Sequence, residues 1–198
     1  MKILWIGGWG TSSEWGLTAV RRWQPTWNHE WVTPSPTCTT SADGSHDWIG
    51  GYSFGAFLML LWPKQFPSKK GHFFIAPFLD LKREAGFGGK VAATQLRVTR
   101  RRLDKYPCAA VNEFYQKSGL QHRLQKTLPY DKEDLAWGLD MLLGESASIP
   151  DKNPGPAVLG SEDLLVDAAI SRKFFPRIMV VKGAGHRLEE LRESLQLS

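Results

Sequence analysis

Apolar residues in this chain come in short saturated runs separated by stretches of helical length. Ile3-Leu4-Trp5-Ile6 is apolar throughout, as a parallel strand buried on both faces is. Gly7-Gly8-Trp9-Gly10-Thr11-Ser12-Ser13 ends it, and Ser12 or Ser13 is placed to cap a helix over residues 15–23. Trp31-Val32 predicts a short second strand before a Thr-, Ser- and Pro-rich loop over 33–45. Residues 48–52 predict a third strand running straight into an apolar helix over 54–62, which Pro63 stops because it cannot donate the next hydrogen bond. Further strands are predicted at 72–77, 157–160 and 177–181, with a closing helix over 189–195. Strands alternating with helices give an α/β fold with a mostly parallel sheet flanked by helices. In such sheets chemistry sits beyond the carboxyl ends of the strands.

Residues 80–149 break this rhythm. They read as helices without strands: one run carries Arg97, Arg100, Arg101, Leu103 and Lys105, and two more cover 109–115 and 135–143. The expected organisation is a core from 1–79 and 150–198, with a helical cap inserted at 80–149. Charge follows the same division. Residues 82–126 hold eleven Lys or Arg against three acids, an excess of eight in a chain whose net charge is +5, so the remainder is negative by three. Arg97, Arg101 and Lys105 fall one helical turn apart and would form a positive stripe. A field of that sign suits an acidic partner, or else an ordinary solvated face. Nucleic acid fits less well, since no recognition motif accompanies the charge.

At 198 residues the chain is long enough to bury one substantial core, and 42% hydrophobic with 12% aromatic residues is not the composition of a disordered protein. Its nine tryptophans are expected mainly in the core. No apolar run reaches membrane-spanning length, and Ile3 to Ile6 is too short for a signal-peptide core. Cys38 and Cys108 have no metal-ligand spacing. A cytoplasmic protein without metal or cofactor, not membrane-bound and monomeric, is the expectation.

The candidate chemistry lies at the predicted strand ends. Gly51-Tyr52-Ser53-Phe54-Gly55 has the form G-x-S-x-G between a strand and a helix, the setting of a nucleophile elbow. A serine hydroxyl needs a base, and the base needs an acid to fix its tautomer. Asp163 and His186 follow in nucleophile–acid–base order, each just past a predicted strand; Asp167 is the alternative acid. Backbone N–H groups of Phe54 and Trp9 are the candidate oxyanion donors. The glycine loop lacks the G-x-G-x-x-G and G-K-[ST] spacings of nucleotide sites. His29, His46, His72 and His122 lack a comparable context.

These pieces carry a resemblance. Gly8-Trp9-Gly10 with Trp15, Gly51 to Gly55, Gly160-Ser161-Glu162-Asp163-Leu164-Leu165-Val166, and Gly185-His186 resemble the α/β-hydrolase family, and within it the pimeloyl-[acyl-carrier-protein] methyl ester esterases of biotin synthesis. The resemblance implies an α/β-hydrolase fold, a Ser-His-Asp esterase that releases methanol, and a helical cap whose arginines, here Arg97, Arg100 and Arg101, hold the acidic acyl carrier protein. Two departures stand out. The family commonly has a histidine before the oxyanion glycine, where this chain has Gly7, and a hairpin before the first strand, which this chain is expected to lack. A short-chain carboxylesterase or thioesterase of the same fold is the alternative, and a non-catalytic acyl-binding protein is a second.

Overall fold

The computed structural model of the chain describes residues 1–121, 124–150 and 154–195. His122, Arg123 and residues 151–153 and 196–198 lie outside the described residues. Within them, six parallel strands form one sheet in the order β2-β1-β3-β4-β5-β6. They are β1 Lys2–Ile6, β2 Asn28–Val32, β3 Trp48–Tyr52, β4 Gly71–Ile75, β5 Ala157–Gly160 and β6 Met179–Val181. The helices are α1 Ser13–Trp23, α2 Phe54–Leu61, α3 Ala93–Lys105, α4 Pro107–Lys117, α5 Lys132–Gly144, α6 Ala168–Ser171 and α7 Leu188–Leu191. Ser12 is the cap of α1, its hydroxyl accepting from the Trp15 N–H. Helix α2 is buried from Phe54 to Leu60, which is why its sequence is apolar on every side rather than along one stripe.

Aromatic packing sets the middle of the sheet. Trp5 stacks on Trp31 at 5.9 Å and meets Phe73 edge-on at 4.9 Å. Gly50 makes room for this, because a Cβ there would lie 2.2 Å from the Phe73 ring. All nine tryptophans are in the core or packed against it.

Three elements differ from the sequence expectation. Strand β2 starts at Asn28 rather than Trp31, since His29 and Trp31 alternate inward against outward Asn28 and Glu30; a buried polar His29 conceals that period-two pattern. Strand β6 is only three residues, because the chain turns at Pro176 and the Ile178 N–H folds back onto the Phe175 carbonyl. The closing helix is a single turn, α7, followed by a 3-10 turn over Arg192–Ser194.

Helices α3, α4 and α5 lie between β4 and β5 in the chain, and α3 packs on α4 and α5. Where the chain leaves the sheet and returns to it, the two crossings are tied together. Buried Asp80 accepts from the Lys82 N–H at 2.7 Å and from the Ser146 hydroxyl, and the Ala147 N–H donates to Leu79 O at 2.8 Å. No helix among the described residues is long and apolar enough to cross a membrane.

Candidate active site

Four loops converge beyond the carboxyl ends of β1, β3, β5 and β6. The tightest follows β3. Ser53 has φ +54° and ψ −113°, a strained backbone conformation for a residue with a side chain. Its flanking glycines are dictated by close approach: a Cβ on Gly51 would lie 2.5 Å from Ala56 Cα, and one on Gly55 2.0 Å from the Ile6 carbonyl oxygen. The strand, the turn and α2 can therefore pack together only with hydrogen at both positions. Ser53 also anchors to β4, its N–H donating to Ile75 O at 2.8 Å.

His186 follows β6 and is buried. Its Nε2 lies 2.8 Å from Ser53 Oγ, and its Nδ1 lies 2.6 Å from Asp163 Oδ2. With a carboxylate on Nδ1, that nitrogen carries the proton and Nε2 is left to accept from the serine hydroxyl. The second carboxylate oxygen of Asp163 accepts from the Leu165 and Val166 N–H groups at 2.8 and 3.0 Å. Asp163 is thus fixed on both oxygens in a site 1% exposed, where competing water is largely excluded. Asp167 is not part of this group. It caps α6, accepting from the Ala169 and Ile170 N–H groups.

The backbone N–H groups of Trp9 and Phe54 have no acceptor among the described residues, although both residues are buried. Phe54 directly follows Ser53, and Trp9 lies in the loop after β1, whose Gly7 carbonyl closely approaches Gly55. The position before Gly8 is Gly7 because Trp31 fills the space: a Cβ there would lie 2.8 Å from the Trp31 indole nitrogen. The departure from the histidine of the resembling family is therefore matched by a tryptophan on β2.

The arginines of α3 divide. Arg97 and Arg101 are exposed, as is Lys105. Arg100 instead reaches Asp140 of α5 at 3.0 Å and Asp104 at 2.9 Å, so its charge is already paired with carboxylates of α3 and α5. Arg101, Lys105, Val98 and Tyr106 line an open groove of about 450 Å³. The other described histidines have structural partners. His29 accepts from the Trp5 indole and donates to Gln24 O, His72 donates to Phe66 O, and His46 meets Glu30. Among the described residues, no group of three His, Cys, Asp or Glu is arranged to hold a metal ion.

No protein-family model and no curated protein matches the sequence. Solved structures do match the fold. A hydrolase from Oleispira antarctica superposes with a TM-score of 0.64 at 13% identity, covering 96% of this chain and 85% of that one. BioG from Haemophilus influenzae superposes at 0.62 and 14% identity, over 93% and 88% of the two chains. The N-formylmaleamic acid deformylase of Pseudomonas putida S16 superposes at 0.59 and 11%, over 93% and 85%. This chain has the α/β-hydrolase fold.

Within that fold, several residues that support the site carry no local sequence signal. The Tyr52 hydroxyl donates to the His186 carbonyl at 2.8 Å, and its ring lies 5.8 Å from the imidazole. Tyr52 occupies the variable position of the pentapeptide, where composition says nothing about its role. The Lys90 ammonium donates to Asp163 O at 2.6 Å, and residues 88–90 run antiparallel to the acid loop through Lys90 N–H to Leu165 O and Asp167 N–H to Gly88 O. The Gly185 N–H donates to Glu190 at 2.7 Å, fixing the start of the histidine loop. Such long-range pairings emerge only once the sheet brings the loops together.

Proposed function

We propose that this protein is a serine carboxylic-ester hydrolase. The observation that carries the reading is the unbroken hydrogen-bonded line from Ser53 Oγ through His186 to Asp163, with the serine on a strained turn. Ser53 Oγ attacks the ester carbonyl as its proton passes to His186 Nε2. Asp163 holds the imidazolium that forms. The Trp9 and Phe54 N–H groups bind the tetrahedral oxyanion. His186 then protonates the departing alcohol; a water gives a proton to His186 as it attacks the acyl-serine, and His186 passes that proton to Ser53 Oγ as the acyl bond breaks and the acid leaves.

The finer reading is the methyl ester of a pimeloyl chain carried on acyl carrier protein, hydrolysed to free methanol in biotin synthesis. Exposed Arg97 and Arg101 support the carrier as partner, and the presence of hydrolases, among them a deformylase, in the same fold supports hydrolytic chemistry. Arg100 contributes less, being paired with Asp104 and Asp140.

A fluorophosphonate probe tests the first part. Wild type should be labelled and should hydrolyse p-nitrophenyl butyrate; the folded Ser53→Ala variant should do neither. Full activity in that variant would sink the assignment, and an unlabelled wild type would favour a binding protein. Charge reversal tests the second part. Arg97→Glu with Arg101→Glu should abolish hydrolysis of the carrier-linked ester and spare p-nitrophenyl butyrate. Equal effects on both substrates would favour a general esterase or thioesterase.

A further inference from the structure

The loop that presents the Trp9 N–H is held chiefly by the insertion. It is intrinsically loose: Gly7, Gly8 and Gly10 provide little rotamer or backbone restriction, and Gly10 takes φ +74°. Core residues contribute the bonds from Gly7 N–H to Val32 O and from Thr11 N–H to Gly8 O, with Trp31 close to Gly7 and Tyr52 close to Gly8. The hydrogen bonds described at the Trp9 side chain and at Gly10 come from residues more than a hundred positions away. The Tyr115 hydroxyl of α4 donates to the Gly10 carbonyl, while the Gly10 N–H donates to the Tyr130 hydroxyl at 2.9 Å. The Trp9 indole donates to Leu135 O of α5 at 2.8 Å. Its ring meets Phe114 edge-on at 4.8 Å, and on the α5 side a Cβ on Gly138 would lie 2.7 Å from it.

Both polar groups of Gly10 are therefore pinned by phenols, and the side chain of Trp9 is wedged between two helices. The donor peptide joins Gly8 to Trp9, one residue away. With Gly10 and the indole immobile, that peptide cannot rotate its N–H out of alignment without breaking several contacts at once. Tyr130 suits this part because desolvation pushes its phenol well above the ordinary value, so it stays neutral and accepts from the amide.

We propose that Tyr115 and Tyr130 are positioning residues for the oxyanion loop, making the inserted helices part of the catalytic frame rather than a detachable cover. The inference rests on the esterase reading. Removing an oxyanion donor itself costs about 10²–10³ in kcat, and a residue acting one step behind it should cost less, about 10-fold. Alignment of an oxyanion donor matters more in the transition state than in the ground state, so KM should hold.

The test uses Tyr130→Phe and Tyr115→Phe with p-nitrophenyl butyrate as substrate and butylboronic acid as a tetrahedral-adduct mimic. Each variant should lose about 10-fold in kcat with KM within about 2-fold of wild type, and should lose boronate affinity by the same factor. A structural defect alone would lower the active fraction without weakening the boronate affinity of the remaining enzyme. Should buried Tyr115→Phe fail to fold, half-buried Tyr130→Phe carries the test. Wild-type kcat and boronate affinity in Tyr130→Phe would overturn the proposal and leave the esterase reading standing. So would a raised KM at constant kcat, which would make the tyrosines substrate contacts. A wild type that neither hydrolyses the ester nor reacts with fluorophosphonate would overturn both.

Discussion

Near the amino ends of β1 and β3, His46 is buried with Nε2 2.9 Å from Glu30, and Glu30 also meets Lys2 at 3.2 Å. At the opposite ends of the strands, His186 is buried with Nδ1 2.6 Å from Asp163. Each is a histidine–carboxylate pair beside the same sheet, yet their surroundings differ in three ways. The carboxylate of Glu30 is about half-exposed and shared with a lysine, whereas that of Asp163 is dry and saturated by two backbone N–H groups. The second nitrogen of His46 faces Asp43 at 3.6 Å, while that of His186 faces a hydroxyl at 2.8 Å. That hydroxyl stands on a residue with positive φ, and nothing near His46 is comparably strained. A buried imidazole on a carboxylate is thus common structural material. What sets His186 apart is a hydroxyl on the second nitrogen, held there at some conformational cost.

The sharpest way to break this comparison is to remove the histidine at each end. His186→Ala should lower hydrolysis of p-nitrophenyl butyrate by about 10³–10⁴-fold or more. Asp163→Asn should fall in the same range by disturbing the tautomer of His186. Asp167→Asn should leave kcat unchanged, because that carboxylate only caps a single turn. Loss of activity in Asp167→Asn with retention in Asp163→Asn would reverse the roles.

Much of this could be read from the chain before folding. Ser53, Asp163 and His186 were recognisable because each follows an apolar run, and parallel topology delivers the ends of such runs to one side. Asp163 and Asp167 could not be separated, since both follow β5 within seven residues and only backbone geometry decides which one faces the imidazole. Nor could the three candidate carrier-binding arginines be told apart: they share one helical run, but Asp140, forty residues on, pairs with Arg100 and leaves Arg97 and Arg101 exposed. Tyr115 and Tyr130 carry no local pattern at all. Their partner is the backbone of Gly10, and side chain to backbone contacts over such separations leave no periodicity to detect.

At the other end of the sheet the expected effect is smaller and of the opposite kind. His46→Ala should reduce stability by about 1–3 kcal/mol through the lost hydrogen bond to Glu30 and the space left behind, while kcat stays within about 2-fold of wild type. For a chain of this length that is roughly 2–4 °C in Tm per kcal/mol. A fall in kcat comparable to that of His186→Ala would erase the distinction between the two ends.

The smallest effect concerns acid. The hydrogen bond from His46, with help from Lys2, holds the Glu30 carboxyl below its ordinary value of 4.5, partly opposed by desolvation. A carboxylate whose folded-state value is depressed contributes stability that is fully present above the unfolded value and is lost as pH falls through the folded one. Wild type should therefore exceed Glu30→Gln in Tm at pH 6, and the difference should shrink from about pH 4.5 downward. Because Glu30 is well solvated, the gap at pH 6 will be modest. The decisive arm repeats the pair of titrations in a His46→Ala background. If His46 is the main support, most of the pH-dependent gap disappears there and only the Lys2 contribution survives. An undiminished gap would assign Glu30 to Lys2 alone and leave His46 a packing residue without an electrostatic role.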